Sequence, residues 1–262
     1  MPPRGLSLLL ALACAVQAVP AIAADPPQGT LSIAAAANLV YALDALDAEF
    51  GKAQPGVKLT SATGASGSLV AQIRNGAPYD VFLSADLDFP RALIASGHAD
   101  GGSLSTFAVG RLVLWTTRAG LDVSDVAAVV RNPAVAKLAI GNTSSAPYGR
   151  AAKEAMERLG VWSNAQPKLV VGENISQAAQ FVETGNADAG FVAMSLVLSP
   201  RLKEKGHWTE VPRALYGSLD QGAVLTVRGA GNPAARAYLA FLRGPAAARV
   251  LAAYGYGVPA AP

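Results

Sequence analysis

Short apolar runs alternate with longer stretches of helical periodicity along most of this chain, and that alternation restricts the fold more than any other feature. The runs expected as strands are Leu31 to Ala36, Val57 to Ser61, Asp80 to Ser84, Arg111 to Thr116, Lys137 to Gly141, Lys168 to Gly172 and Ala187 to Val192. Between them, apolar residues recur on one helical face, as in Leu39, Leu43, Leu46 and Phe50, or Ala152, Ala155, Met156 and Leu159. Alternation of this kind predicts an α/β fold with mostly parallel sheets, because a parallel pair needs a crossover and a helix supplies it. A later strand near Ala223 to Val227 precedes terminal helices over Pro233 to Leu242 and Pro245 to Ala253, a tail expected to pack back on the sheet. Gly and Pro are spread evenly, without an internal repeat or a low-complexity tract, so any second lobe has to be joined by strands and not by a tether.

The amino-terminal residues read as an export signal. Arg4 precedes an apolar run from Leu6 to about Val19, and Ala21-Ile22-Ala23 offers small residues for cleavage near Ala23. The run is shorter than the roughly 18 to 20 residues of a membrane span. The only cysteine, Cys14, lies inside this signal, in mid-run and with Ala11 where a lipoprotein acceptor would want a branched residue, so the mature chain is expected to carry no disulfide and no Cys-ligated metal. About 239 residues then remain, enough for one large domain or two lobes. The net charge of +3 falls by one with Arg4, and the basic residues are scattered without interleaved aromatics, which argues against a nucleic-acid partner.

Four loop-to-helix junctions follow predicted strands. Ala37-Asn38 opens a helix running to about Phe50, and in GASGSLVAQIRNGAPYDVFLSAD (64–86) a small polar loop opens a short helix with a buried strand close behind. Gly141 to Gly149 and Gly172 to Ser176 repeat the arrangement. The first amides of a helix lack partners within it, and the helix dipole is positive there, so such junctions attract an anion without Lys or Arg. Ligands of open α/β sheets lie beyond the carboxyl ends of strands, where these junctions sit. Two junctions from each half converging on one cleft describe a hinged two-lobe binder of a small oxyanion.

Five segments together carry a family resemblance: AAAANLVYALDAL, GASGSLVAQIRNGAPYDVFLSAD, SAPYGRAAKEAMERLG, GENISQAAQFVETGNADAGFVAMS and FLRGPAAARVLAAYGYG. Their order and spacing resemble those of the periplasmic molybdate-binding proteins of ABC importers, which are type II substrate-binding proteins. The likeness covers essentially the whole mature chain. It implies two α/β lobes joined by two crossing strands, with the cleft between them: residues 24–109 plus 219–262 in the first lobe and 110–218 in the second. It implies capture of molybdate, and of tungstate, in the periplasm, and delivery to a membrane permease coupled to a separate ATPase subunit. A monomer without a cofactor, and without catalysis, is expected.

Carried over residue by residue, the resemblance implies that Asn38 and Ser66 donate from side chain and backbone, with Ala37 beside them, and that Tyr148 and Ile175 donate their backbone amides. Some relatives place a ligand-contacting Tyr after the GFV-like strand, where Ala193 stands here; the Asn38 amide is expected to compensate. Neutral donors fixed at helix ends suit a dianion, and the set lacks the acceptor that protonated phosphate would need.

Other readings of the same residues exist. Asn38 and Ser66 make good helix caps whether or not anything binds. Tyr148 reads equally as a surface turn residue, and Ile175 as a core anchor. Sulfate or another oxyanion is the alternative ligand. A Ser hydrolase is the enzymatic rival, but Gly64-Ala65-Ser66-Gly67-Ser68 is not G-x-S-x-G, and His98 and His207 both sit in polar, loop-like surroundings. Asp80, Asp86 and Asp88 suggest a carboxylate cluster for a hard cation, although Asp80 and Asp86 read better as the solvated ends of a strand. An iron(III) or carbohydrate binder calls for a Tyr cluster or stacking platforms, of which the junctions offer only Tyr148. No G-x-x-x-x-G-K-[ST] occurs.

Overall fold

The computed structural model describes residues 28–259. The signal segment and Cys14 lie outside them. The strands are β1 (Gly29–Ala36), β2 (Val57–Gly64), β3 (Val81–Ser84), β4 (Ser105–Val109), β5 (Leu112–Thr116), β6 (Leu138–Gly141), β7 (Leu169–Gly172), β8 (Ala189–Ala193), β9 (His207–Glu210) and β10 (Asp220–Leu225). The helices are α1 (Val40–Ala53), α2 (Ser66–Arg74), α3 (Asp88–Ala95), α4 (Val126–Arg131), α5 (Pro147–Arg158), α6 (Trp162–Ala165), α7 (Ile175–Glu183), α8 (Met194–Val197), α9 (Pro233–Leu242) and α10 (Pro245–Ala253). A 3-10 turn over Ala37–Leu39 connects β1 to α1. No helix among the described residues is long and apolar enough to cross a membrane.

Two five-stranded sheets organise the chain, in the orders β2-β1-β3-β10-β4 and β7-β6-β8-β5-β9. In each, the first three strands run parallel and the last two pair antiparallel. The parallel halves follow from the alternation read in the sequence: β1, β3, β6 and β8 are buried along nearly their whole length, and helices pack on them. Two strands escaped sequence reading. β4 is a short run, STFAV, directly before the strand expected at 111–116, and β9, HWTE, is an exposed polar edge without an apolar signal.

The chain passes from the first sheet to the second through Gly110-Arg111, between β4 and β5, and returns through 211–219 before β10. The tail closes the first sheet's layer. α9 packs on β1 and β10, α10 packs on α1, and Gly257 bridges Val109 beside the first crossing. Phe50 of α1 meets Tyr238 and Phe241 of α9 edge-on, with ring centres 5.0 and 5.5 Å apart. The larger core cluster belongs to the second sheet but takes in Ala36, Ala37 and Ala85 from the first, so the lobes touch through small residues.

Gly110 shows how tightly the crossing is built. A Cβ there would sit 2.2 Å from the Tyr148 hydroxyl and 2.9 Å from Gln221 Nε2. Gly110→Ala is expected to cost about 1–3 kcal/mol through overpacking and to lower the thermal midpoint by roughly 2–12 °C. Differential scanning fluorimetry checks this, and an unchanged midpoint would mean that Tyr148 can withdraw freely.

Candidate functional site

Three of the four strand-end junctions open on an alanine that cannot cap. Ala36 precedes the 3-10 turn, Ala65 precedes α2 and Ala146 precedes α5, and none supplies a side-chain hydrogen bond. Asp125 caps α4 and Asn232 caps α9 with side-chain acceptors, whereas α1, α3, α6, α8 and α10 also begin without a capping side chain. At the fourth junction Asn174 accepts from Gln177 N at 3.1 Å, three residues into the turn, and its side chain leaves the earlier amides of Ile175 and Ser176 alone. Alanine offers no acceptor, so the first-turn amides keep their hydrogen-bonding capacity for something outside the helix.

Asn38 and Ser66 are therefore not caps. Asn38 lies within the 3-10 turn and Ser66 is the first residue of α2. Both are buried, as are Ala37, Tyr148 and Ile175. Ser66 Oγ accepts from Ala85 N at 3.1 Å, which leaves its own O–H to be donated. Asn38 departs from expectation. Its Nδ2 donates to Gln221 Oε1 at 2.8 Å and to Tyr256 OH at 2.7 Å, so both amide hydrogens are consumed within the protein. The side-chain amide thus has no hydrogen left to stand in for the tyrosine donor expected at the Ala193 position.

Tyr148 and Ile175 present a different division of labour. The Tyr148 ring is fully buried in the larger core, which excludes the surface-turn reading, and its hydroxyl rests at the Gly110 crossing without a hydrogen-bond partner. Burial, reinforced by Tyr256 and Tyr216 nearby, pushes that hydroxyl well above the usual phenol range, so it stays neutral. Ile175 is likewise anchored in the core by its side chain. Each residue stands at the start of its helix, α5 or α7, with the side chain as an anchor and the amide at the helix end.

The junctions are brought together by direct contact. Gly67 N of α2 donates to Ser145 O, across the two sheets, at 2.9 Å. A Cβ on Gly67 would lie 3.0 Å from Ser145 Cα, so glycine permits this approach. The 3-10 turn carrying Asn38 packs against α7, α8 and the end of β2. Ser195 of α8 donates to Asn38 O at 2.7 Å. Ala37, Asn38, Ser66, Tyr148 and Ile175 thus occupy one buried neighbourhood where the sheets meet.

Asp80 and Asp86 are not solvated strand ends. Asp80 accepts from Ser32 N at 2.9 Å and has Arg228 at 3.3 Å. Asp86 accepts from Phe89 N at 3.1 Å and meets Arg150 Nη2, from the other sheet's α5, at 2.6 Å. A carboxylate can be buried only when paired and hydrogen-bonded, and both are. Arg150 also reaches Asp88 at 3.5 Å, on the wall of a cavity of about 270 Å³ between the lobes. Among the described residues no cluster of His, Cys, Asp and Glu is arranged to hold a metal ion. Neither histidine partners Ser66: His98 bonds Ser96 at 3.1 Å, and His207, which lies on edge strand β9 and not in a loop, bonds Leu121 O at 2.7 Å.

Sequence reasoning missed Arg150, Gln221, Ser195 and Tyr256. Arg150, Ser195 and Tyr256 stood in segments already noted and Gln221 did not, but all four acquire their partners only through the fold.

Comparison with known proteins agrees with this architecture. The family described as bacterial extracellular solute-binding protein matches residues 31–257. The molybdate-binding protein ModA of Azotobacter vinelandii is 41% identical over 94% of this chain and 93% of its own length. ModA of Rhodobacter capsulatus is 43% identical over 95% of this chain and 96% of its own. The solved periplasmic molybdate-binding protein of Azotobacter vinelandii superposes with a TM-score of 0.82 at 34% identity, covering 88% of this chain and all of that one. With its two α/β sheets, paired crossings and uncapped helix ends, this chain belongs to the bacterial extracellular solute-binding protein family.

Proposed function

We propose that the chain captures molybdate, and tungstate with it, in the periplasm and passes it to the permease of an ABC importer driven by a separate ATPase subunit. The observation that carries this reading is the set of helix ends opened by Ala36, Ala65 and Ala146, whose amides nothing in their own caps satisfies. The names of the relatives at 41 and 43% identity support the choice of ligand. In this reading the donors are the backbone amides of Asn38, Ser66, Tyr148 and Ile175 and the Ser66 hydroxyl, with Ala37 alongside. A dianion accepts several hydrogen bonds per oxygen, and fixed dipoles in a buried site meet it without a counter-ion. The lobes are residues 24–109 with 219–262, and 110–218, and the protein works as a monomer that binds without chemistry. Closure favours the ligand only through contacts made in both lobes at once.

Titration calorimetry of the mature, anion-free protein with molybdate, tungstate, sulfate and phosphate tests the reading. One-to-one binding of the first two alone is expected. Sulfate or phosphate binding would move the ligand, and no heat with any of the four would end the oxyanion reading. Ser66→Ala is expected to cost on the order of 1.5–3 kcal/mol, or roughly 10- to 150-fold in molybdate affinity, since it removes a hydroxyl facing a charged ligand.

The Arg150–Asp86 pair joins the two lobes, and in this reading it helps to hold them closed on the ligand. Arg150 is about two-fifths exposed, so its loss is screened below the cost of a wholly buried pair, on the order of 1–3 kcal/mol. Stopped-flow measurement of Arg150→Ala is expected to show molybdate leaving roughly 5- to 150-fold faster, with association little changed. Unaltered release would mean that the pair does not hold the closed state.

The proposed donors are amides and a hydroxyl, and burial keeps the neighbouring Tyr148 and Tyr256 phenols protonated. No histidine lies among them, so affinity is expected to be flat between about pH 6 and 9. A tenfold change across that range, read by calorimetry, would reveal a titrating group in the site.

A further inference from the structure

Asn38 is tied through its side-chain nitrogen and its carbonyl, while its buried Oδ1 has no hydrogen-bond partner. Gln221, buried at the start of the return strand β10, donates from Nε2 to Leu219 O at 2.7 Å and to Ala85 O at 3.2 Å. Two carbonyl acceptors fix the orientation of that amide, so Gln221 Oε1 has to face Asn38 and take one Nδ2 hydrogen. The other goes to Tyr256 OH. The same phenol then donates back to Asn38 O at 3.1 Å, where Ser195 Oγ of the second lobe donates as well. Asn38 is gripped at its side chain and at its carbonyl, and its N–H direction follows from the two.

We propose that Tyr256, carried on the C-terminal tail, is a positioning residue for oxyanion capture, acting through Asn38. This rests on the oxyanion reading above. The tail is itself pinned beside the first crossing, where Gly257 and Val109 exchange backbone hydrogen bonds of 2.8 and 2.9 Å. Tyr256 is buried, and only its hydroxyl can both accept from Asn38 Nδ2 and donate to Asn38 O. Phenylalanine fills the same space but leaves one amide hydrogen of Asn38 without an acceptor. The Ser195 bond comes from the opposite lobe, so Asn38 is where the tail, the return strand and lobe closure meet.

A double-mutant cycle tests this in the full mature chain, with molybdate affinity and release measured on the parent, Tyr256→Phe, Asn38→Ala and the double variant. Tyr256→Phe is expected to weaken binding roughly 10-fold. In the Asn38→Ala background the same change is expected to have no further effect. A role confined to stability would instead lower the melting temperature and leave the affinity of the folded protein unchanged. Parent-like binding by Tyr256→Phe, or additive losses in the double variant, would overturn the proposal alone. A parent that gives no heat with molybdate would overturn the oxyanion reading, and this inference with it.

Discussion

The backbone amides at the start of a helix have no partner inside it, and the architecture of this protein turns on where those amides point. A parallel strand must be followed by a crossover, and the helix that supplies it starts at the strand's carboxyl end. In both sheets the parallel strands therefore aim helix ends at one rim. Two backbone crossings set the rims face to face, and small residues such as Ala36, Ala37 and Ala85 let them approach until the second sheet's core includes them. Alanine at three caps leaves the amides unclaimed by their own helices.

Large buried side chains then hold those amides in place. Tyr148 and Ile175 sink into the core beneath their helices, so each amide sits on a packed foundation and not on a flexible loop. Asn38, which has no such bulk, is held by hydrogen bonds to Gln221, Tyr256 and Ser195. Contacts across the lobes use three different chemistries: a backbone bond from Gly67 to Ser145, a hydroxyl from Ser195 to Asn38, and an ion pair from Arg150 to Asp86. All three act over hydrogen-bonding distance, where the two sheets meet.

Much of the fold was legible because its central strands, β3, β5, β6 and β8, are buried on both faces. The expected strand at 31–36 lies within β1, and those at 80–84, 137–141 and 187–192 overlap β3, β6 and β8, since continuous apolar runs bounded by turn residues admit few other readings. The edge strand β9 was not legible, because HWTE carries no apolar alternation and is a strand only through its pairing with β5. Asp80 and Asp86 misled for a related reason. Carboxylates at strand ends suggest solvent until Ser32, Phe89, Arg228 and Arg150 arrive from elsewhere to satisfy them.

By itself the sequence determined the alternation of elements and the small-residue junctions at the strand ends, because each is a property of a few neighbouring residues. Tertiary structure alone decided which polar groups are spent and which are free. Asn38 looks like a donor in isolation, yet its side-chain hydrogens go to residues 183 and 218 positions away. Ser66 looks like a cap, yet it accepts from Ala85 and keeps its own proton to give. Hydrogen-bond capacity is a balance over all partners in space, and only a folded chain closes that balance.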